Sequence, residues 1–275
     1  MRNKILSILA ATVLVLLGKY FFNEHLGVHL IADAIIFFVT FLVVDIIGEL
    51  VKYRKQIWQL IQCRVFFPNK EVRLSIAYLF RINVDGKYLL VKNRMRNAYQ
   101  PVGGAFKTLP GSEAIFSDLD VRPDRLIETE HGVAKNDLRV YVKGKNVFRF
   151  LDWFESKQDR EISPWREFCE ELITTEILPW KQFRYIDYKF KGNVKSPIIT
   201  LDSGGKGLFL FEIYDLVIND EQEPYLKELL QNGDTGQYIW ADDYLIQRLG
   251  HDERTKTQVH EILPHAKYAQ NLKWG

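Results

Sequence analysis

Residues 166–172, with the sequence REFCEEL, carry three carboxylates and one guanidinium within about two helical turns. At 100° per residue of an α-helix, Glu167, Glu170 and Glu171 lie within an arc of about 100°, and the apolar residues lie nearly opposite. Carboxylates on one helix face repel each other by about 0.2–0.5 kcal/mol per pair. A hard divalent cation such as Mg²⁺ prefers oxygen ligands and would turn this face into a metal site. A solvated acidic surface is the alternative, and the spacing alone does not decide between them.

A helix must position this acidic segment. Ser163 is a good N-cap residue and Pro164 suits the first helical turn, so a helix is predicted from there to about Ile177.

Strands are predicted on both sides of this helix. Residues 73–84 alternate between apolar and polar and meet Asp85-Gly86, a strong hairpin signal, before residues 87–92 return as a second strand. The remaining pattern predicts further strands at 138–142, 183–189, 196–201, 208–216 and 237–241, and helices at 223–230 and 254–271. This alternation indicates an α/β sandwich around a mixed sheet.

The acidic segment follows an upstream strand that ends in Gly103-Gly104, and this combination resembles the Nudix hydrolase box. In that family the box reads Gly, five residues, Glu, seven residues, then Arg-Glu-apolar-x-Glu-Glu-x-Gly-apolar. The order of strands before and after the helix also matches, and the resemblance covers about residues 70–270. It implies the α/β class and a Nudix-like α/β/α sandwich with a mixed sheet over residues 70–275.

The resemblance also implies a role for each matching residue. Glu167, Glu170 and Glu171 would ligate a metal ion, Mg²⁺ or alternatively Mn²⁺. Arg166 would brace these carboxylates through ion pairs, and Gly104 would add its carbonyl oxygen to the metal. In the family the metal neutralises a diphosphate and activates water, so Arg166 and the three glutamates form the candidate catalytic set.

The sequence departs from the family pattern between Gly104 and Arg166. Sixty-one residues, 105–165, separate them, where the pattern has thirteen. The upstream glutamate is displaced, Gln158 stands at its spacing from Arg166, and Ile173 replaces the closing glycine. We therefore expect an insertion at about residues 107–160.

The insertion mixes charges of both signs with aromatic residues. Its basic and aromatic residues include Arg122, Arg125, Lys135, Arg139, Tyr141, Lys143, Lys145, Phe148 and Arg149, and its acids include Asp118, Asp120, Asp124, Glu128 and Glu130. Such cations and rings could bind phosphates and bases, but the interleaved acids favour a solvated surface excursion.

Two apolar runs precede this domain. Residues 5–22 would form a helix of about 27 Å, close to the hydrocarbon thickness of a bilayer. Residues 30–51 form the second run, after a short polar connection at residues 23–29. A secretory signal peptide is the alternative for the first run, but no convincing small-x-small cleavage site follows it. We expect a transmembrane hairpin over residues 1–56, with helices at about 5–22 and 30–51, and a juxtamembrane helix or linker at 57–69.

Basic residues flank the outer ends of this hairpin, and the connection between its helices contains none. They are Arg2 and Lys4 before it, and Lys52, Arg54, Lys55 and Arg64 after it. The positive-inside rule then places both termini in the cytoplasm.

Two carboxylates, Asp33 and Asp45, lie within the second apolar run. A carboxylate at the centre of a membrane helix costs about 2.5–3.5 kcal/mol on insertion scales, and less near an interface. Both residues could lie near the two interfaces. The other hypothesis is that they face a protein interior and mark an oligomeric contact or a pore, with Asp45 the better candidate because it lies deeper in the run.

The net charge of the whole chain, +2, arises from the first 56 residues, which contain six basic and four acidic residues. The remaining 31 basic and 31 acidic residues balance, so we expect no polymeric nucleic acid as a partner. The two cysteines are too few for a disulfide framework and fit a reducing cytosol.

The apolar hairpin joined to a Nudix-like domain resembles the SMODS-associated two-transmembrane Nudix proteins of CBASS anti-phage systems. In those systems a sensor enzyme makes a cyclic oligonucleotide on infection, and an effector then harms the host cell. The resemblance implies a homo-oligomeric effector in the cell inner membrane, whose partners are the lipid bilayer and the cyclic oligonucleotide. Two alternatives are a membrane-tethered, Mg²⁺-dependent nucleoside diphosphate-X pyrophosphohydrolase and an inactive Nudix fold that serves as a scaffold.

Overall fold

The computed structural model describes residues 24–127 and 134–274. The chain divides into two compact units, Met1–Ile61 and Gln62–Gly275.

The first unit contains the long helix α1, Glu24–Ile61. It includes the predicted second apolar helix at 30–51, and it begins earlier, so residues 24–29 are helical where a connection was expected. The first predicted helix, residues 5–22, lies outside the described residues. Among residues 24–127 and 134–274, no helix combines the length and apolar character that a membrane crossing requires.

The second unit begins with a π-helical turn at Gln62–Phe66 and is built on a mixed sheet. Among the described residues, seven strands form this sheet, in the order β6-β7-β1-β10-β8, with β5 on the edge of β1 and β9 on the edge of β10. Their bounds are β1 Glu71–Arg81, β5 Gly103–Ala105, β6 Arg122–Pro123, β7 Arg139–Lys143, β8 Asp187–Lys195, β9 Ile199–Thr200 and β10 Lys206–Val217. In the described part of this sheet β1 and β10 pair in parallel, from Val72↔Lys206 to Arg81↔Asp215, and the other strand pairs are antiparallel.

A smaller antiparallel sheet has the order β11-β3-β2, with β4 on β3. Its strands are β2 Asn83–Val84, β3 Lys87–Lys92, β4 Tyr99–Pro101 and β11 Tyr238–Asp242, and a separate hairpin joins β12 His251–Asp252 to β13 Thr257–Gln258. The predicted turn at Asp85-Gly86 is confirmed, because both residues have positive φ, 50° and 80°. Such angles are required by the tight turns that suit a hairpin.

Helices cover both faces of the large sheet, as expected for a mixed α/β sandwich. Their bounds are α2 Ser112–Leu119, α3 Val147–Ser156, α4 Trp165–Phe168, α5 Trp180–Phe183, α6 Glu223–Gln231, α7 Asp243–Gln247 and α8 Pro264–Asn271. Alternate residues of β1 face opposite sides. Tyr78 and Phe80 join the main core with Phe154 and Phe168, whereas Leu79 joins a second core with Ala269 of α8.

The insertion is part of this core, so the expectation of a solvated surface excursion is wrong. Its strand β7 pairs with β1, and Val147, Phe150, Leu151 and Phe154 of α3 are buried. These residues follow the i, i+3, i+4, i+7 spacing of an amphipathic helix. Some of its charged residues pair on the outside, for example Arg149 with Asp118 at 2.6 Å and Lys143 with Asp120 at 2.8 Å. Asp124 is instead buried and pairs with Arg73.

Two other predicted elements differ from the structure. The strand predicted at 183–189 begins only at Asp187, because the chain forms the helix α5 after Pro179. The predicted helix at 254–271 begins only at Pro264. Residues 251–258 instead form the hairpin β12–β13, whose turn lies at residues 253–256 and includes Lys256 with a φ of 55°.

We predict that Gly103→Ala lowers the free energy of unfolding by about 1–3 kcal/mol more than Gly192→Ala. Both glycines have strongly positive φ, 145° and 151°, so alanine strains the backbone at either position. Only at Gly103 would a Cβ overlap the carbonyl oxygen of Tyr78, whereas Gly192 has nothing within 4 Å. Thermal unfolding of the two full-length variants, followed by circular dichroism, measures the difference. Equal losses would contradict this account of the packing of β5 on β1.

Candidate functional site

The acidic segment folds as a short α-helix that widens into a π-helix. Helix α4 ends at Phe168 and a π-helical turn, Cys169–Ile173, follows it. The predicted end at about Ile177 is therefore four residues too late. Two hydroxyl groups end the helix, because Thr174 Oγ1 donates to the carbonyl of Glu170 at 2.6 Å and Thr175 Oγ1 to that of Glu171 at 2.7 Å.

The start of the helix is fixed by two hydrogen bonds to its backbone. Ser163 Oγ accepts from the backbone N–H of Trp165 at 3.2 Å, and the structure places Pro164 at the N-cap position. The backbone N–H of Glu167 donates to the hydroxyl of Tyr78 at 3.2 Å. This contact ties the helix to strand β1, since Tyr78 is fully buried in the main core.

Arg166 connects three carboxylates. Its Nη1 lies 2.6 Å from Glu167 Oε1 and 3.2 Å from Glu170 Oε1. Its Nε lies 3.0 Å from Glu161 Oε1, and Nη2 lies 3.1 Å from Glu161 Oε2, so this pair is bidentate. Nη2 also donates to the carbonyl of Ala105 at 2.8 Å. The expected bracing role of Arg166 is thus present for Glu167 and Glu170.

Glu171 points away from this cluster into the protein. Its Oε2 accepts the backbone N–H of Gly103 at 2.8 Å, and its Oε1 lies 3.4 Å from Gln100 Nε2. Only 8% of the residue is exposed, and this burial raises the pKa of Glu171 to about 8. Burial also raises the pKa of Glu167, although the charge of Arg166 opposes the shift. Burial therefore acts on both carboxylates in the same direction, and among the described residues only Glu167 of the two has a cation in contact with it.

Gly104 lies directly against Glu167. A Cβ added to Gly104 would overlap the carboxylate of Glu167, so only glycine fits there without displacing that side chain. The role of the Gly104 carbonyl in a metal site stays a prediction.

The other candidate residues lie elsewhere. Asp45 belongs to helix α1 in the first unit, and the side chain of Asp33 lies outside the described part of that helix. Gln158, at the family spacing, is exposed and its backbone N–H contacts Ser156 Oγ at 3.4 Å.

Glu161 is a site residue that the sequence reasoning missed. It is the bidentate partner of Arg166, and its carboxylate also accepts the backbone N–H of Lys107 at 3.2 Å. Its backbone N–H donates to the carbonyl of Lys107 at 2.8 Å, so the chain returns to the start of the insertion at this point. Counting back from Arg166 could not identify it, because the insertion changes the spacing while keeping the ion pair.

The residue types suit a hard divalent cation, but in the described part of the chain they are not arranged around one common position. Glu167, Glu170, Glu171 and the carbonyl of Gly104 supply oxygen atoms, which Mg²⁺ prefers, and the raised pKa values of Glu167 and Glu171 are what a bound cation would reverse. Within the described ranges, no group of three or more His, Cys, Asp or Glu side chains is arranged to hold a metal ion. In the described geometry Arg166 lies between Glu167 and Glu170 and neutralises them.

The chain has matches among known protein families and solved structures. The family model of the SMODS-associated NUDIX domain matches residues 71–270, and the chain belongs to this family. Nudix proteins generally use divalent metal ions. No curated protein matches the chain. Among solved structures, a NUDIX hydrolase from Nitrosomonas europaea matches with 15% identity and a TM-score of 0.26, covering 72% of this chain and 86% of that one.

We predict that Glu161→Gln lowers the free energy of unfolding by about 1–3 kcal/mol, because Arg166 loses a charged, partly buried partner. The matched control is Gln158→Ala, which removes an exposed side chain in the same segment and should change stability by less than about 0.5 kcal/mol. Thermal unfolding of the full-length variants tests both values. A larger loss of stability in Gln158→Ala than in Glu161→Gln would contradict the assignment of Glu161 as the partner of Arg166.

Proposed function

We propose that this chain is a membrane-anchored effector of a cyclic-oligonucleotide-based anti-phage defence system. Its Nudix-like unit would bind the nucleotide signal, and its N-terminal helices would disrupt the inner membrane. The match of residues 71–270 to the SMODS-associated NUDIX family carries the proposal, since it supports a Nudix-family effector of a CBASS system.

The carboxylates of the acidic segment have partners within the protein. Arg166 Nη1 contacts one oxygen of Glu167 and one of Glu170, so the protein itself supplies the positive charge between these carboxylates. Glu171 is held by Gly103 and Gln100. These pairs are compatible with either output, and the proposal of ligand binding rests on the family match.

The membrane part of the proposal rests on the two apolar runs and on the exposed apolar surface of helix α1. This surface includes Ile35, Val39, Phe41, Val43, Val44, Ile46, Ile47, Leu50 and Val51. Contiguous exposed apolar residues mark contacts with a membrane or with other helices. Two helices cannot form a pore alone, so membrane disruption requires a homo-oligomer. Both termini and the Nudix-like unit would lie in the cytoplasm.

A membrane-tethered pyrophosphohydrolase is the second candidate, because the three glutamates and the arginine of the acidic segment are retained. Glu167, Glu170, Glu171 and Gly104 would hold Mg²⁺, which when bound supplies charge neutralisation of a diphosphate and an activated water. Arg166 would then orient Glu167 and Glu170 through the ion pairs described above.

We predict that the double variant Glu170→Gln/Glu171→Gln keeps its toxicity in cells that produce the nucleotide signal, whereas deletion of residues 1–56 abolishes it. Glutamine can still accept the N–H of Gly103, so the fold is preserved while the carboxylate charge is lost. Glu155→Gln, an exposed glutamate on α3, is the matched control. Survival of cells that express a folded double variant that still binds the nucleotide would favour hydrolysis as the output.

We also predict that a cyclic di- or trinucleotide stabilises the full-length protein in detergent micelles and increases its particle mass. Ligand at 100 times its Kd adds about 2.7 kcal/mol to the free energy of unfolding. Thermal unfolding and mass photometry measure the two effects. Failure of every cyclic nucleotide to bind or to change the particle mass would refute the effector proposal, and cleavage of the nucleotide would favour the hydrolase.

A further inference from the structure

Residues 180–195, which include helix α5 and strand β8, carry a local excess of positive charge. This basic segment contains five basic residues and one acidic residue, whereas basic and acidic residues balance over residues 57–275. The charged residues are Lys181, Arg184, Asp187, Lys189, Lys191 and Lys195. Lys181, Arg184 and Lys189 are exposed and have no ion-pair partner among the described residues, whereas Lys191 lies 3.4 Å from Asp215. Most of the charge is therefore not neutralised within the protein.

Large aromatic side chains of the basic segment are exposed beside these cations. The exposed fraction is 57% for Trp180, 78% for Tyr185 and 51% for Phe190. The guanidinium of Arg184 lies 5.4 Å from the ring centroid of Tyr185. Exposed rings leave apolar area in contact with water, and a binding partner that covers them would gain free energy.

The interior of the second unit fixes the backbone that carries these side chains. Phe183 is fully buried in the main core, with its ring centroid 6.4 Å from that of Phe168. Gln222 is also fully buried, and its Nε2 donates to the carbonyl of Gln182 at 3.1 Å and to that of Tyr185 at 3.0 Å. The backbone of the segment is therefore ordered before a partner arrives, which lowers the entropic cost of binding.

Strand β8 is the last strand on its side of the large sheet, and its outer edge has no neighbouring strand among the described residues. An unpaired edge can accept a strand from a second copy of the chain. Here the edge carries Lys189 and Lys191, and Lys191 is the extra residue of a bulge opposite the step from Ile213 to Tyr214 of β10. Lysines and bulges oppose edge-to-edge pairing, so a second copy is not the partner that this edge favours.

Anionic lipid suits the combination of cations and rings. Trp and Tyr place their amphipathic rings at the level of the headgroups. Each Lys or Arg near an anionic membrane surface strengthens binding by about fivefold. Single-stranded nucleic acid also binds cations and rings. The bilayer is favoured because helix α1 of the same chain exposes a long apolar surface.

We propose that the basic segment docks on the surface of a bilayer that contains anionic lipid. Lys181, Arg184 and Lys189 would contact the headgroups, and the rings of Trp180 and Tyr185 would lie at the same level. The inference rests on the proposed function in one respect, the anchoring of the chain in a membrane with an anionic cytoplasmic leaflet.

The test incorporates the full-length protein into nanodiscs of phosphatidylcholine alone, or of phosphatidylcholine mixed equally with phosphatidylglycerol. Mass spectrometry measures hydrogen–deuterium exchange of the backbone at residues 180–195. The anionic discs should slow this exchange by about tenfold or more relative to the neutral discs, since several unpaired cations contribute. Salt near 1 M, at which the Debye length is about 3 Å, should remove the difference.

Three variants locate the contact. Lys181→Glu/Arg184→Glu should reduce the slowing to less than about twofold, since two attractions become repulsions. The matched control, Lys87→Glu/Lys256→Glu, reverses two exposed charges on strand β3 and in the turn of hairpin β12–β13, and should keep the slowing. Tyr185→Ala leaves the charge unchanged and should lower the slowing by about two- to fivefold, because apolar contact is lost. Thermal unfolding confirms that each variant is folded.

Each outcome decides the inference. Slowing that requires anionic lipid and depends on Lys181 and Arg184 supports the docking surface. Equal exchange in the two discs, or equal loss in the control variant, overturns it and leaves the proposed function standing. Slowing that instead requires a single-stranded oligonucleotide, or that grows with protein concentration in neutral discs, identifies nucleic acid or a second copy as the partner and also overturns it.

The same experiment separates docking from anchoring. A protein that does not enter neutral discs, but binds anionic vesicles through Lys181 and Arg184, supports the docking surface and overturns the proposed membrane anchor. A protein that neither enters the discs nor binds anionic vesicles overturns both.

Discussion

The guanidinium of Arg166 joins three parts of the second unit that are distant in sequence. It contacts Ala105 at the end of strand β5, Glu161 at the end of the insertion, and Glu167 and Glu170 on its own helix. Carboxylates this close together cannot all remain ionised and partly buried without a cation among them. Arg166 supplies that cation, so the helix, the glycine strand and the insertion keep one arrangement in the absence of any ligand.

The position of Glu161 depends in turn on its neighbour Arg160. Arg160 is only 1% exposed, lies 3.6 Å from Glu212 of strand β10, and donates to the carbonyl of Phe154 at 2.7 Å. Its guanidinium also lies 3.7 Å from the ring centroid of Phe154. A buried arginine with these partners anchors the end of the insertion to the large sheet. The next residue then faces Arg166, so a long insertion is compatible with an intact site.

The fold was largely predictable from local sequence patterns, and the exceptions have physical causes. The hairpin at Asp85-Gly86 and the long strand β10 were confirmed, because alternation and turn residues are local signals. The ends of helices were less predictable. Thr174 and Thr175 end the acidic helix through side-chain bonds to its last carbonyls, and Pro179 begins another helix. The insertion was predicted to be solvated because its charged residues are interleaved in sequence with the apolar residues that form the buried stripe of α3.

The sequence by itself determined which side chains could form the site: Arg166 and its neighbouring glutamates, with Gly104 upstream. The common face of the glutamates follows from helix geometry, which is local, whereas Arg166 and Gly104 were implied by the resemblance to the Nudix box. Only the tertiary structure decided that Glu171 faces Gly103 in the interior while Glu167 and Glu170 share Arg166, because the π-helical turn changes the direction of the later side chains. It also decided the role of Glu161, since an ion pair across a returning chain depends on how the insertion packs and not on its length.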